Sequence, residues 1–360
     1  MNNYYDGISS KLKEYFNVLS PEFPEWLHDY INTKEMERIG NISMDCGCDY
    51  TDLFPKHEWH SNLDHSVGVA LIIWNFTKDK KQTLAGLFHD IATPVFKHCI
   101  DFMNGDSENQ ESTEERTRDI IKNSKKIMSL LERDNIKIEE VEDYKIYPIA
   151  DNSTPRLAAD RFEYNFCCGY IIHPEIWNIE DLKECYQDID VLINEDGIKE
   201  LGFRNLDKAE KYISIVSKLW PWWINDTDRT SMQFLADICK SMNIEGYLTI
   251  DDLYNLTESE VIDRIKNCND EYLASRFKEY ENAKTCYRTN SIIDDKYCVN
   301  VKGKRRYINP LVEEGNIKGR AYDLSESVRK NIDNYMMIPI DGYTYLDFEF
   351  KPYQKVMKKG

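Results

Sequence analysis

The alternation of apolar and polar positions predicts a mainly helical chain with a few strands near its C-terminus. Residues 8–40 pattern as short helices broken at Ser20-Pro21 and Pro24. Between 66 and 91, apolar residues run round every side of two helices, with the polar KDKKQ stretch at 78–82 as the turn between them. A helix that is apolar all round is a buried one. The acidic run GDSENQESTEE at 105–115 predicts a loop entering a helix near Ser112. Thr154-Pro155 has the form of a helix start, a capping hydroxyl followed by proline at the first helical position, and the helix it opens is expected to run through Cys168. Further helices are expected near 207–223, ending in Trp220, Trp222 and Trp223, and over 231–242 and 257–283. Beyond about 285 the runs KYCVNV, KGKRRYI and GYTYLDFEF alternate β-branched and aromatic residues with turns, the pattern of short strands. The expected layout is an N-terminal helical segment (1–50), a helical core (51–240), and a C-terminal helical and short-strand region (241–360) packed on it.

Charge and cysteine use narrow the class. The chain has 360 residues, 46 Lys and Arg against 64 Asp and Glu, and a net charge of −18. With 41% hydrophobic residues it is no disordered acidic tail. The acidic balance argues against a nucleic-acid polymer as partner, because such binders neutralise phosphates with diffuse positive charge. Ten scattered cysteines fall far below a disulfide scaffold's share. The longest apolar run, Val67–Phe76, is half of what a membrane helix needs, about 20 residues. A cytoplasmic protein with reduced thiols and no membrane partner is expected, with homo-oligomerisation left open.

The histidines carry the chemistry. Five of the seven, His57, His60, His65, His89 and His98, fall within 42 residues, where chance would put fewer than one. His65 opens one apolar helix; His89, followed by Asp90, closes the next; Asp160 is expected mid-helix in RLAADRFEY. A buried carboxylate is costly unless it is paired or bound to a metal. Two imidazoles and two carboxylates form a mixed N/O set suited to one divalent ion (Mn, Mg, Fe, Ni, Co or Zn), with two octahedral positions left for water and substrate. Against this, Asp160 alone is equally an ion-pair partner for Arg161 or Arg156.

These residues resemble a known family. His65, His89-Asp90 and Asp160 match the H…HD…D signature of the HD superfamily of metal-dependent phosphohydrolases. The texts DHSVGVA, HDIATPVFKH and DRFEY are similar to those of its deoxynucleoside triphosphate triphosphohydrolase branch, and YLTIDDLYNLTESEVIDRI and KGKRRYINPLV resemble that branch's later segments. The resemblance covers about residues 50–320. It implies an α-helical HD fold, metal ligation by His65, His89, Asp90 and Asp160, a phosphate contact from Arg161, and Tyr164 beside the substrate. Lys97 and Arg156 are expected to help hold the phosphate. Three departures stand out: Asn62 replaces an arginine, Thr93 a catalytic histidine, and Gln110-Glu111 a second histidine, although Asp101, which would orient it, is kept. Glu111, Glu114 and Glu115 are candidate replacement acids or bases, with a solvated loop as the alternative. His98 reads either as a substrate-side group or as a core histidine. One histidine between Asp90 and Asp160 is too few for a dinuclear site, which points to a single metal.

Smaller signals stay open. His57 and His60 suit a pocket mouth or the surface. Cys46 and Cys48 form a weak soft-metal pair, Cys167-Cys168 suits core packing, and the tryptophan cluster suits core or a dimer contact. Lys302, Lys304, Arg305 and Arg306 make a basic island able to reach a phosphate or an effector nucleotide. The expected activity is hydrolysis of a nucleotide, nearest to a dNTP triphosphohydrolase. The alternatives are a nucleotidase or phosphodiesterase on another small phosphorylated substrate, and a non-catalytic nucleotide-binding HD module.

Overall fold

The computed structural model describes residues 4–113 and 116–354. Helices dominate, and two small sheets complete the fold. At its centre lies the helix Asn62–Thr77, buried on every side from Asn62 to Ile73, as its unbroken apolar run requires. Ser61 caps it and forms a reciprocal capping box with Asp64. Its neighbour Lys80–Phe88 follows after Lys78, in the left-handed conformation, and the N-cap Asp79, a tighter turn than KDKKQ suggests. The third central helix, Ala159–Cys167, crosses Asn62–Thr77 and continues as a π turn over Cys168–Ile172. These three pack with Ser10–Leu19, Leu206–Val216 and Glu326–Met336 around one apolar cluster.

A second cluster forms around the helix Asp226–Ile244, which packs on Cys99–Asn104. Glu258–Lys266 and Glu271–Glu281 close it, with a short break where one continuous helix over 257–283 was expected. Among the described residues, no helix is long and apolar enough to cross a membrane.

Among the described residues seven strands make the sheets: β1 (Ile189–Ile193), β2 (Lys199–Phe203), β3 (Cys286–Thr289), β4 (Tyr297–Val299), β5 (Leu311–Glu314), β6 (Ile317–Arg320) and β7 (Tyr343–Leu346). One sheet runs β1-β2-β5-β6, parallel only between β2 and β5; the other runs β3-β7-β4, antiparallel throughout. The β1–β2 hairpin corrects the expectation that strands begin only after 285. Its signal is present in DIDVLINEDGIKELGF, two β-branched runs around an Asp-Gly turn. The segment KGKRRYI, expected to be extended in a strand, is irregular instead.

Two helix starts also differ. The helix after the acidic loop begins at Thr117 rather than near Ser112. Thr154-Pro155 does not open a helix: it is a cis peptide in a turn, and the helix begins at Ala159. The reason is tertiary. The amides of Ala159 and Asp160 donate to the carbonyls of Ile149 (2.8 Å) and Ala150 (3.3 Å), so the helix end is satisfied by a neighbouring turn and needs no capping hydroxyl. Asp160 therefore sits in the first helical turn, not mid-helix.

Candidate metal centre

The three central helices bring His65, His89, Asp90 and Asp160 to the wall of one cavity of about 390 Å³. His65 Nε2 lies 3.2 Å from His89 Nε2 and 3.2 Å from Asp160 Oδ1, and His89 Nε2 is 3.7 Å from the same oxygen. Asp90 Oδ2 is 3.5 Å from His89 Nε2 and 3.9 Å from His65 Nε2. Adjacent donors on an octahedral ion with bonds of about 2.1 Å lie about 3 Å apart, so the spacing suits one ion.

The hydrogen bonds behind the imidazoles decide what faces inward. His89 Nδ1 is 2.7 Å from the carbonyl of Gly86, which only accepts, so Nδ1 carries the proton. His65 Nδ1 lies 2.5 Å from Glu163 Oε2, a buried carboxylate that also accepts from Tyr15 Oη at 3.1 Å. Both Nε2 lone pairs are thereby turned toward each other at a distance that only a shared cation or a proton relieves. The carboxylates add to this. Burial alone would raise the pKa of Asp90 and Asp160, but the two imidazoles, with Lys97 beside Asp90, hold both well below the usual range. Burial opposes a charge on His65, yet Glu163 and Asp160 push its pKa up to about 10. The donor set thus fits a divalent ion, and a proton on His65 Nε2 is the natural occupant it would displace.

Nothing local in DRFEY marks Glu163, which stands one turn before Cys167 on the buried helix face. Glu163→Gln is expected to lower affinity for Mn by about ten- to hundredfold, the usual cost of an altered group behind a metal ligand. Gly68→Ala should act in the same direction, because its Cβ would lie 2.5 Å from Glu163 Oε1. Metal titration with unchanged helical circular dichroism checks both, and an unaltered affinity in the pair would remove Glu163 from this role.

The remaining candidates divide. Tyr164 lines the cavity one turn from Asp160, edge-on to Trp223 at 5.3 Å. Trp222 also lines it, stacked on His173 at 4.7 Å, so only Trp220 of the tryptophan cluster is core. His98 faces the cavity, with Nδ1 3.0 Å from the buried Asp101, which also accepts from Ser112 Oγ at 2.7 Å. Asp101 orients His98, not a histidine in the 110 segment. Glu111 stands exposed at the rim, 3.8 Å from Lys304, while Glu114 and Glu115 lie outside the described residues. Thr93 and Asn62 bond each other at 3.2 Å beneath Asp90.

The basic residues need correction. Arg156 does not reach the cavity: its guanidinium turns onto Glu195 (3.1 Å) and Asp196 in the β1–β2 turn. Arg161 is committed to the 151–156 loop, donating to Asp151 at 3.0 Å, to the Arg156 carbonyl at 2.7 Å and to Asn152. Lys97 Nζ bonds Asn62 Oδ1 and sits 3.4 Å from Asp90. Arg161→Ala is therefore expected to cost about 2–3 kcal/mol of stability, as loss of buried charged hydrogen bonds does, read by urea unfolding. The cavity's other cations come from the basic island: Lys304, Arg305 and Arg306 line it, as Lys145 does. Cys46 and Cys48 are on its wall as free thiols. His57 pairs with Asp45 and Asp49 at the cavity edge, whereas His60 is buried behind Glu163 with neither ring nitrogen bonded.

Comparison with known proteins places the fold. No family model matches the chain. The uncharacterized protein YdhJ of Bacillus subtilis (strain 168) is 23% identical over 284 residues, 76% of this chain and 81% of its own length. The uncharacterized protein MG461 of Mycoplasma genitalium is 28% identical over 133 residues, 33% of this chain and 31% of the other. Among solved structures, a hypothetical protein from Aquifex aeolicus superposes with a TM-score of 0.65 at 17% identity, covering 90% of this chain and 93% of that one. A phosphohydrolase from Bacteroides thetaiotaomicron does so at 0.63 and 14% identity, covering 91% and 97%. The chain shares the fold of that phosphohydrolase.

Proposed function

We propose that this protein is an HD-type metal-dependent phosphohydrolase acting on a nucleotide, with a dNTP triphosphohydrolase-like reaction as the leading form. The observation that carries the reading is the pair of inward-facing Nε2 atoms, 3.2 Å apart and joined by Asp160 and Asp90, in a cavity rimmed by basic and aromatic side chains. The name of the Bacteroides neighbour supports the same reaction class. His65, His89, Asp90 and Asp160 would hold one divalent ion. When bound, such an ion polarises a phosphoryl oxygen and lowers the pKa of water. The chain's own part is to position and to move protons. Asp101 holds the His98 proton on Nδ1, which leaves Nε2 as the acceptor facing the cavity. Trp222, Trp223 and Tyr164 offer aromatic faces and edges for a base or sugar, and every base has a π-face to stack.

The net charge of −18 does not oppose an anionic substrate, because the cation and the basic island set the local field. The protein would work on a small nucleotide in the cytoplasm. A panel of dNTPs, NTPs, mononucleotides and cyclic dinucleotides with Mn, Mg, Ni or Co tests the reading. Turnover of at least one class is expected, with release of triphosphate from dNTPs. Nucleotide binding without turnover under any metal would overturn the enzyme and leave a binding module.

A further inference from the structure

We propose that Arg306 is the residue that grips the substrate phosphate, released from His98 as it does so. This rests on the hydrolase reading above and names a binding group within it. The guanidinium groups in and beside the cavity, and Lys97, differ in what their donors already hold. Arg161, Arg156 and Lys97 are spent on carboxylates and carbonyls, as described. Arg305 donates to the carbonyls of Tyr335 (2.9 Å) and Ile338 and lies over the Tyr335 ring. Arg306 differs from all of them. Its Nη2 donates to His98 Nε2 at 3.2 Å and to Gln110 Oε1, both uncharged acceptors. Among the described residues no carboxylate pairs with it, and Nε and Nη1 make no hydrogen bond. Its backbone amide is fixed by Tyr335 Oη at 3.1 Å, so the chain is anchored where the side chain lines the cavity.

A guanidinium holding unused donors toward a cavity is matched to phosphate oxygens, which it takes in a forked pair of charge-assisted bonds. The bond to His98 adds a second consequence. Arginine only donates, so His98 Nε2 must present its lone pair, with the proton on Nδ1 toward Asp101. As Arg306 turns to a phosphate, that lone pair is uncovered beside the bound group. Gln110 then has a physical role: its side chain, held by Nε2 to the Ser107 carbonyl at 3.3 Å, holds Arg306 beside His98.

The test uses the full chain, inorganic pyrophosphate with Mn, and the variants Arg306→Gln and Arg306→Lys. Arg306→Gln is expected to weaken pyrophosphate binding by calorimetry about ten- to hundredfold, the loss typical of a charged hydrogen bond. KM for any substrate found should rise by a similar factor, more than kcat falls. Arg306→Lys should recover part of the binding, since it keeps the charge but not the fork. Mn content and unfolding temperature should match the parent in both. Pyrophosphate affinity and KM within twofold of the parent in both variants would overturn the proposal. If Arg306→Gln does not fold, an Arg306→Lys protein with parental affinity overturns it alone. Pyrophosphate binding that depends on Arg306, in a protein that turns over nothing, would support the grip and sink the hydrolase reading instead.

Discussion

Asp160→Ala is expected to remove both bound divalent metal and turnover. Asp160 Oδ1 is the oxygen that lies near both imidazoles, at 3.2 and 3.7 Å. Asp90 cannot stand in for it, because its carboxylate is shared with Lys97. Without Asp160 the site keeps two imidazoles and one diverted carboxylate, and the loss should exceed the roughly ten- to hundredfold that altering a group behind a ligand costs. The fold should survive, since the helix start is held through backbone bonds to Ile149 and Ala150 rather than through this side chain. The measurements are metal content after purification in Mn, turnover on the nucleotide panel, and thermal unfolding without metal. Stoichiometric Mn retained by a folded Asp160→Ala protein would sink the ligand assignment.

What the sequence disclosed about this site follows from distance along the chain. His65, His89 and Asp90 lie on consecutive apolar helices whose buried character is a local pattern, so their convergence was readable. Asp160 is marked by its surroundings, although the helix around it starts four residues later than Thr154-Pro155 suggests. That boundary was hidden because the satisfying carbonyls belong to another turn, a tertiary fact that propensity does not carry. The basic residues failed for the same reason. Arg156 and Arg161 are near Asp160 in sequence, yet their partners are the β1–β2 turn and the 151–156 loop, both shaped by packing. Arg306, 208 residues from the histidine it touches, appeared only as one member of a basic island. Glu163 lies within DRFEY, but nothing local marks it, because the groups that enclose it, Tyr15 and His65, are 148 and 98 residues away in the chain.

His98→Asn is expected to lower kcat by about 10²–10⁴-fold, the range for losing a positioned general acid or base, while leaving Mn content unchanged. The separation matters because His98 does not contribute an atom to the His65–His89–Asp160 group. Its pH signature is specific. Burial lowers the His98 pKa first, the Asp101 bond opposes this, and Arg306 lowers it further. A lowered pKa keeps the imidazole neutral at pH 7, as a general base requires, and puts the acid limb of kcat/KM below the ordinary imidazole value of about 6.5. That limb should vanish in His98→Asn. In Arg306→Gln it should move to higher pH, because a neighbouring positive charge has been removed. Asp101→Asn should act in the same direction as His98→Asn but less strongly, since it disturbs the tautomer and not the ring. Glu111 is the rival for the proton: exposed on the rim and loosely paired with Lys304, it should cost less when changed to glutamine than His98 costs. A His98→Asn enzyme with parental kcat and an intact acid limb, beside an inactive Glu111→Gln, would transfer the role to the glutamate.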